Sequence, residues 1–177
     1  LTFMAQDKIR NNTILIITSD HGEEFMEHNA IEHITLYDSN IKIPLIFYIP
    51  GIKRKTIEEG VQSADIVPTV LDLIGVKRDS FPFQGTSLLD NILGKRQPDR
   101  LLISEKDTDQ KIAFRSNSWK LFANTKTEVV PYELYNIAKD PNEKENIIFS
   151  NTDVVRQIMK KYSDIDNRAG NSTIKQQ

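Results

Sequence analysis

The groups most able to do chemistry lie close together near the start of this 177-residue sequence. Asp20 and His21 are adjacent, and the two other histidines of the chain, His28 and His33, follow soon after. A carboxylate offers a hard oxygen and a neutral imidazole offers a nitrogen, and divalent cations accept both. The segment is a candidate metal site, although a capping aspartate beside a solvated histidine produces the same pattern.

A buried strand is predicted to deliver these groups. Residues Thr13–Thr18 are continuously apolar and rich in β-branched side chains, which is typical of a central strand covered on both faces. The strand ends directly before Asp20, and ligands in α/β folds bind beyond the carboxyl ends of strands. Gly22 follows and lets the backbone turn sharply away.

The rest of the first hundred residues predicts one more strand and one helix. Ile43–Ile49 is the second apolar run, with its proline near the beginning, where a missing donor is tolerated. Asp65–Ile74 has an apolar stripe at helical spacing, and Gly75 suits the position just past its end. We expect the two strands to belong to a mixed or mostly parallel sheet, with the helix packed on it.

The pattern changes near residue 100, where we place the boundary between two predicted domains, 1–100 and 101–177. Short apolar segments then alternate with turns, and a long amphipathic segment over 153–165 predicts a closing helix. We expect a small antiparallel four-stranded sheet with one packed helix. The predicted strands cover residues 101–104, 111–116, 119–123 and 132–137.

The composition excludes several classes of function. The net charge of −2 argues against a nucleic-acid partner, and the chain has no cysteine for a disulfide, a thiolate metal site or a thiol nucleophile. No apolar run is long enough for a membrane span, and no signal peptide is recognisable, so the compartment stays open. The first residues, Leu-Thr-Phe, suggest a piece of a longer protein.

The segments around the histidines occur in an order that resembles the sulfatase family of the alkaline phosphatase superfamily. The same order continues through a proline-containing helix, a Gly-x-Ser-Leu-Leu segment and three short elements near the C-terminus. The matching segments are Ser19-Asp20-His21-Gly22-Glu23, His33-Ile34-Thr35-Leu36-Tyr37-Asp38, Ile43-Pro44-Leu45-Ile46, Asp65–Gly75, Gly85-Thr86-Ser87-Leu88-Leu89, Trp119-Lys120-Leu121, Glu133-Leu134-Tyr135, and Asp140-Pro141 with Glu143 and Asn146.

The resemblance implies an α/β fold, namely the back part of an alkaline-phosphatase-like sheet with helices. It implies hydrolysis of sulfate esters by an arylsulfatase-like enzyme with a divalent metal. Asp20 and His21 occupy the positions of two metal ligands, and His33 that of the cationic residue that binds the substrate anion. Ca²⁺ is the first choice of metal, with Mg²⁺, Mn²⁺ or Zn²⁺ as alternatives.

The neighbouring residues are given supporting roles. His28 lies in a loop that the family places near the pocket, and His28 and Glu23 are candidates for supporting the imidazoles from behind. For Glu23, Glu24 and Glu27 a solvated acidic face is the favoured interpretation. Tyr37 is expected to fix the loop rather than to do chemistry.

The chain also departs from the family. It has no Cys/Ser-x-Pro-x-Arg segment and no Asp-Asp pair at a strand end, so the nucleophile and two metal ligands are missing. We therefore expect the C-terminal portion of a sulfatase, inactive without the N-terminal half of the same protein. The alternatives are a phosphoryl or phosphonate hydrolase or a phospho-head-group transferase of the same superfamily, and a non-enzymatic binding paralogue.

Overall fold

The computed structural model describes residues 6–77, 83–116 and 118–169. They form two compact units, 1–56 and 57–177. The domain boundary near residue 100, taken from the change in sequence pattern, stays a prediction. None of the helices in the described ranges combines the length and the apolar composition that a bilayer span requires.

The first unit is built from short elements around one strand pair. In chain order they are α1 (Asp7–Arg10), β1 (Leu15–Thr18), β2 (Glu24–Phe25), β3 (Ile31–Glu32), α2 (Asp38–Ile41) and β4 (Leu45–Tyr48). Both strands predicted here are confirmed as β1 and β4. The predicted burial of β1 on both faces is wrong for this chain, because none of its residues is buried and Ile17 is 44% exposed.

The two strands pair antiparallel, which fits the mixed sheet among the expected arrangements, whereas a parallel pairing of these two strands is excluded. Leu15 lies opposite Tyr48, and Thr18 lies opposite Leu45. A parallel pair needs a crossover that returns the chain to the other end of the sheet, usually through a long helix. The intervening residues form only the hairpin β2–β3 and the four-residue α2, so β4 starts beside the end of β1.

The second unit begins with a 3₁₀ turn (Ser63–Asp65) and ends on a long helix. Its α-helices and strands are α3 (Ile66–Leu73), α4 (Leu89–Ile92), β5 (Leu102–Lys106), β6 (Lys111–Ser116), β7 (Trp119–Asn124), β8 (Val130–Asn136) and α5 (Thr152–Ala169). Gly75 follows α3 with φ +74°, the left-handed position predicted for it.

The predicted α/β fold, with its small antiparallel sheet and closing helix, is confirmed. The strands pair in the order β5-β6-β7-β8, each antiparallel to the next. Phe114, Leu121 and Leu134 are fully buried on the face that α5 covers, and Ile158 contributes from the helix. Each strand and the helix thus hide one apolar face in a common core.

Asp65 organises the start of α3 from a fully buried position. Its carboxylate accepts backbone N–H bonds from Gln62 and Thr86, both at 2.8 Å, and pairs with the Arg100 guanidinium. Gly85 allows this approach, because a Cβ there would lie 1.9 Å from the Ala64 carbonyl oxygen. Asp65 and Gly85 therefore have structural roles at the start of α3.

The turn after β8 is fixed by a buried ion pair and by side chains that replace backbone partners. Lys120 Nζ lies 2.7 Å from Glu143 Oε1, and both side chains are almost completely buried. Asp140 accepts the N–H groups of the residues that follow the turn. Asn146 bonds β8 through both ends of its amide, to the Tyr132 carbonyl and the Leu134 N–H. The C-terminal sequence motifs that contain these residues therefore stabilise the sheet and the turn that follows β8.

Candidate metal and anion site

The turn after β1 is held in place by a close backbone approach. Gly22 N–H donates to the Asn40 carbonyl at 2.6 Å. A Cβ on Gly22 would lie 2.0 Å from the Ser39 carbonyl oxygen, so any other residue would push α2 away. The glycine is thus required by contact with α2, and the turn leaves Asp20 and His21 at the end of the strand.

Asp20 and His21 present their ligand atoms close together. Asp20 Oδ2 lies 3.7 Å from His21 Nε2, and the side chains are 86% and 41% exposed. The His21 N–H donates to Asp20 Oδ1 at 3.0 Å, and this bond lowers the pKa of the Asp20 carboxyl, with further help from the nearby His21 ring. The carboxylate is therefore held in its charged, metal-binding form.

The His21 ring is oriented by the backbone. His21 Nδ1 lies 2.7 Å from the Gly22 carbonyl oxygen, which can only accept a hydrogen bond, so Nδ1 carries the proton. Nε2 lies on the side of Asp20, 3.7 Å from Oδ2, where its lone pair would bind a cation. An imidazole held this way is prepared as a ligand. A carboxylate oxygen and an imidazole nitrogen at this separation are ligands that divalent cations accept.

His33 lies against His21. Its ring stacks on the His21 ring with the centroids 4.0 Å apart and the planes 22° from parallel. His33 Nδ1 is 3.9 Å from Glu23 Oε2, and both side chains remain about half exposed. The hairpin therefore brings together four of the five predicted site residues: Asp20, His21, Glu23 and His33.

His28 is placed differently from the other two histidines. Its side chain is 10% exposed, and Nδ1 lies 2.5 Å from Glu24 Oε1. The ring stacks on Tyr37 with centroids 3.6 Å apart and planes 9° from parallel. His28 is thus packed inside the hairpin, and Tyr37 holds the loop as predicted.

Glu24 is the residue that the sequence interpretation missed. The sequence favours a solvated acidic face for Glu24, but the residue is completely buried. Its carboxylate accepts a hydrogen bond from the Thr35 hydroxyl at 2.7 Å as well as contacting His28, and the Asn40 amide lies 2.8 Å from that hydroxyl. The histidine four residues after Glu24 was the signal available. Glu24 ties together both sides of the loop that carries His33.

Replacing Glu24 by alanine is expected to destabilise the chain by about 1–3 kcal/mol, because buried polar partners lose their hydrogen bonds. Urea unfolding followed by circular dichroism measures the change. Glu24→Gln keeps an acceptor and should lose less. Glu58→Ala removes an exposed carboxylate as the matched control and should stay within about 0.5 kcal/mol of the original. Equal loss in the Glu24 and Glu58 alanine variants would contradict a structural role for Glu24.

The chain is similar to proteins of known family. Residues 4–76 match the family model described as Sulfatase. Arylsulfatase K of Canis lupus familiaris is 31% identical over 93% of this chain and 33% of its own length. The chain thus spans about a third of the length of the curated relatives it matches.

Two solved structures share the fold. A 2-O GAG sulfatase superposes with a TM-score of 0.75 at 25% identity, over 94% of this chain and 39% of that chain. A phosphonate monoester hydrolase of Agrobacterium radiobacter superposes with a TM-score of 0.68 at 22% identity, over 90% of this chain and 36% of that chain. The second likeness shows the fold alone.

Proposed function

The chain belongs to the sulfatase family, and on that premise we propose that it supplies part of the active site of a sulfuric ester hydrolase that uses a divalent metal. Its share of the site comprises Asp20, His21 and His33. The observation that carries the proposal is the position of His21 at the end of β1, where it lies beside Asp20 on one side and stacks on the ring of His33.

Asp20 and His21 are the residues that would hold the metal. Asp20 supplies an ionised oxygen, and His21 supplies Nε2 in the tautomer fixed by the Gly22 carbonyl. Ca²⁺ is the metal we propose, because the exposed pair leaves room for the further oxygen ligands that this ion takes. A divalent cation at this position supplies positive charge that stabilises the nonbridging oxygens of the transferred group.

His33 would bind the anion of the substrate beside that position. An imidazole N–H aimed at a developing negative charge stabilises the transition state more than the ground state. The stack on His21 keeps the His33 ring beside the metal ligands, and Glu23 lies near enough to Nδ1 to orient it through a small side-chain movement. His33 thus binds the substrate anion, Glu23 orients the His33 ring, and Asp20 with His21 holds the metal.

The substrate class we propose is a sulfate ester, with a sulfated sugar as the first one to test. The names of two relatives support it, since one is an arylsulfatase and the other a 2-O GAG sulfatase. A phosphonate or phosphate ester is the second candidate, because a phosphonate monoester hydrolase shares the fold and the two tetrahedral anions are similar in shape.

The decisive assay uses the longer polypeptide in which these residues are joined to a nucleophile-bearing segment. Aryl sulfates, aryl phosphates and phosphonate monoesters are compared at equal concentration, with and without added Ca²⁺. Preference for the sulfate ester supports the proposal, and preference for the phosphonate ester supports the second candidate. Metal-independent turnover, or binding without any turnover, would refute it.

The 177-residue chain alone is expected to be nearly inactive on aryl sulfates and aryl phosphates. It has no cysteine and no Cys/Ser-x-Pro-x-Arg segment, and covalent hydrolysis stops without the attacking group. A chromogenic sulfate assay on the pure chain measures this, with His33→Ala as the control for contaminating enzyme. Appreciable turnover that disappears in His33→Ala would contradict the missing nucleophile.

A further inference from the structure

The stacked histidines and Glu23 form a second set of ligand atoms at this site. One donor atom each from His21, Glu23 and His33 lies within 4.8 Å of the other two. Within the described residues, this is the group of three histidine or carboxylate side chains whose ligand atoms lie this close to one another. Asp20 does not belong to this set, so the set differs from the Asp20–His21 pair assigned above to Ca²⁺.

The donor types of this set favour a different metal. Two imidazoles and one carboxylate are a ligand combination of zinc sites with an open fourth position. Ca²⁺ and Mg²⁺ prefer oxygen ligands, whereas nitrogen-rich sites bind later transition metals more tightly. The set therefore selects for Zn²⁺ over Ca²⁺.

We propose that His21, Glu23 and His33 bind Zn²⁺, and that this ion inhibits the enzyme by taking His33 away from the substrate anion. The inhibition part rests on the proposed function, while the binding part does not. Because His21 belongs to both ligand sets, Zn²⁺ and Ca²⁺ would also compete directly.

To close around the ion, one imidazole must turn out of the stack, because a ligand lone pair lies in the ring plane and the His21 and His33 planes are only 22° from parallel. Donor atoms of a tetrahedral zinc site lie about 3.3 Å apart when the bonds are about 2.0–2.2 Å long. His33 Nδ1 and Glu23 Oε2 are already 3.9 Å apart, and their side chains are 52% and 43% exposed. Exposed side chains change rotamer freely, and such a change would supply the ring rotation and close the remaining gap.

The test is a Zn²⁺ titration of the full chain by isothermal calorimetry, repeated with Ca²⁺. His33→Ala and Glu23→Gln should each weaken Zn²⁺ binding by at least about 10–100-fold. Mutation of a residue that only hydrogen-bonds to a metal ligand already lowers metal affinity by that factor, and loss of a ligand should cost at least as much. His33→Ala should leave Ca²⁺ binding unchanged. Asp20→Ala should weaken Ca²⁺ binding and leave Zn²⁺ binding within about threefold, a loss well below that of a ligand.

A second measurement keeps the proposal testable if a variant fails to fold. In histidine-labelled original chain, Zn²⁺ should shift the imidazole NMR signals of His21 and His33 and leave those of His28 unchanged. Unchanged Zn²⁺ affinity in both variants, or a shift confined to His28, would overturn the zinc site. Loss of Ca²⁺ dependence in the sulfate ester assay would instead count against the proposed function and leave the zinc result standing.

Discussion

In the complete enzyme, Asp20→Ala is expected to lose both bound metal and turnover. The variant removes the ionised oxygen whose low pKa keeps it available to the cation, and His21 alone holds a hard cation poorly. Metal content by mass spectrometry and turnover of an aryl sulfate are measured on the same sample. Turnover should fall by about 10²–10³-fold or more, the loss typical when one charge-stabilising group is removed.

His33→Ala separates the two roles at this site. It should keep the Ca²⁺ content of the original protein while lowering turnover, because His33 is assigned to the substrate anion. Asp164→Ala removes an exposed carboxylate on α5 and serves as the charge control, with neither quantity changed. If His33→Ala releases Ca²⁺ as completely as Asp20→Ala does, then His33 is a Ca²⁺ ligand and the division of roles is wrong.

Lys120→Met is expected to destabilise the chain by about 3–5 kcal/mol, because it leaves the buried Glu143 carboxylate without its cation. Domains of this size are stable by only about 5–15 kcal/mol, so a large part of the folding free energy would be lost. Urea unfolding gives the value. The double variant Lys120→Met with Glu143→Leu should recover much of the loss, since no buried charge then remains unpaired.

An exposed ion pair of the same chemistry provides the matched control. Lys95 Nζ lies 2.9 Å from Asp90 Oδ1, with the side chains 71% and 49% exposed. Lys95→Met should change the free energy of unfolding by about 0–1 kcal/mol. A similar effect at both lysines would mean that burial does not determine the contribution of the Lys120 pair.

The small sheet could be predicted because its strands carry their own signals. Ile112 and Phe114 lie on one face of β6, and their partners across the sheet are also apolar, so pattern and turns agree. α5 was predicted from apolar side chains at helical spacing, and Ile158 packs in the core as that spacing requires. The spacing of apolar residues is enough to predict a strand or helix where that element has one apolar face.

The direction of β4 and the burial of Glu24 could not be obtained in this way. The pairing of β1 with β4 depends on where the intervening loop leaves the chain, and a loop has no periodicity. In β2 the usual pattern is reversed, since Glu24 is buried while Phe25 is 74% exposed. The buried position of Glu24 comes from Thr35 and His28, which are brought there by the hairpin.

The site residues were predicted from their types, but their mutual contact was not. The stack of His33 on His21 joins positions on opposite sides of the hairpin, and its existence depends on the turn conformation between them. That conformation depends on backbone dihedral angles that cannot be read from the amino-acid sequence of the turn.

The same turn limits how freely this part of the gene can vary. Met26, Asn29 and Glu32 have φ of +76°, +58° and +70°, in the left-handed region where a side chain other than Asn or Gly costs about 1–2 kcal/mol. Codons for glycine or asparagine at positions 26 and 32 would relieve that cost, whereas valine, isoleucine or threonine would add to it. A combinatorial library aimed at substrate preference would therefore retain more folded members if it spared these positions and diversified the loop around them.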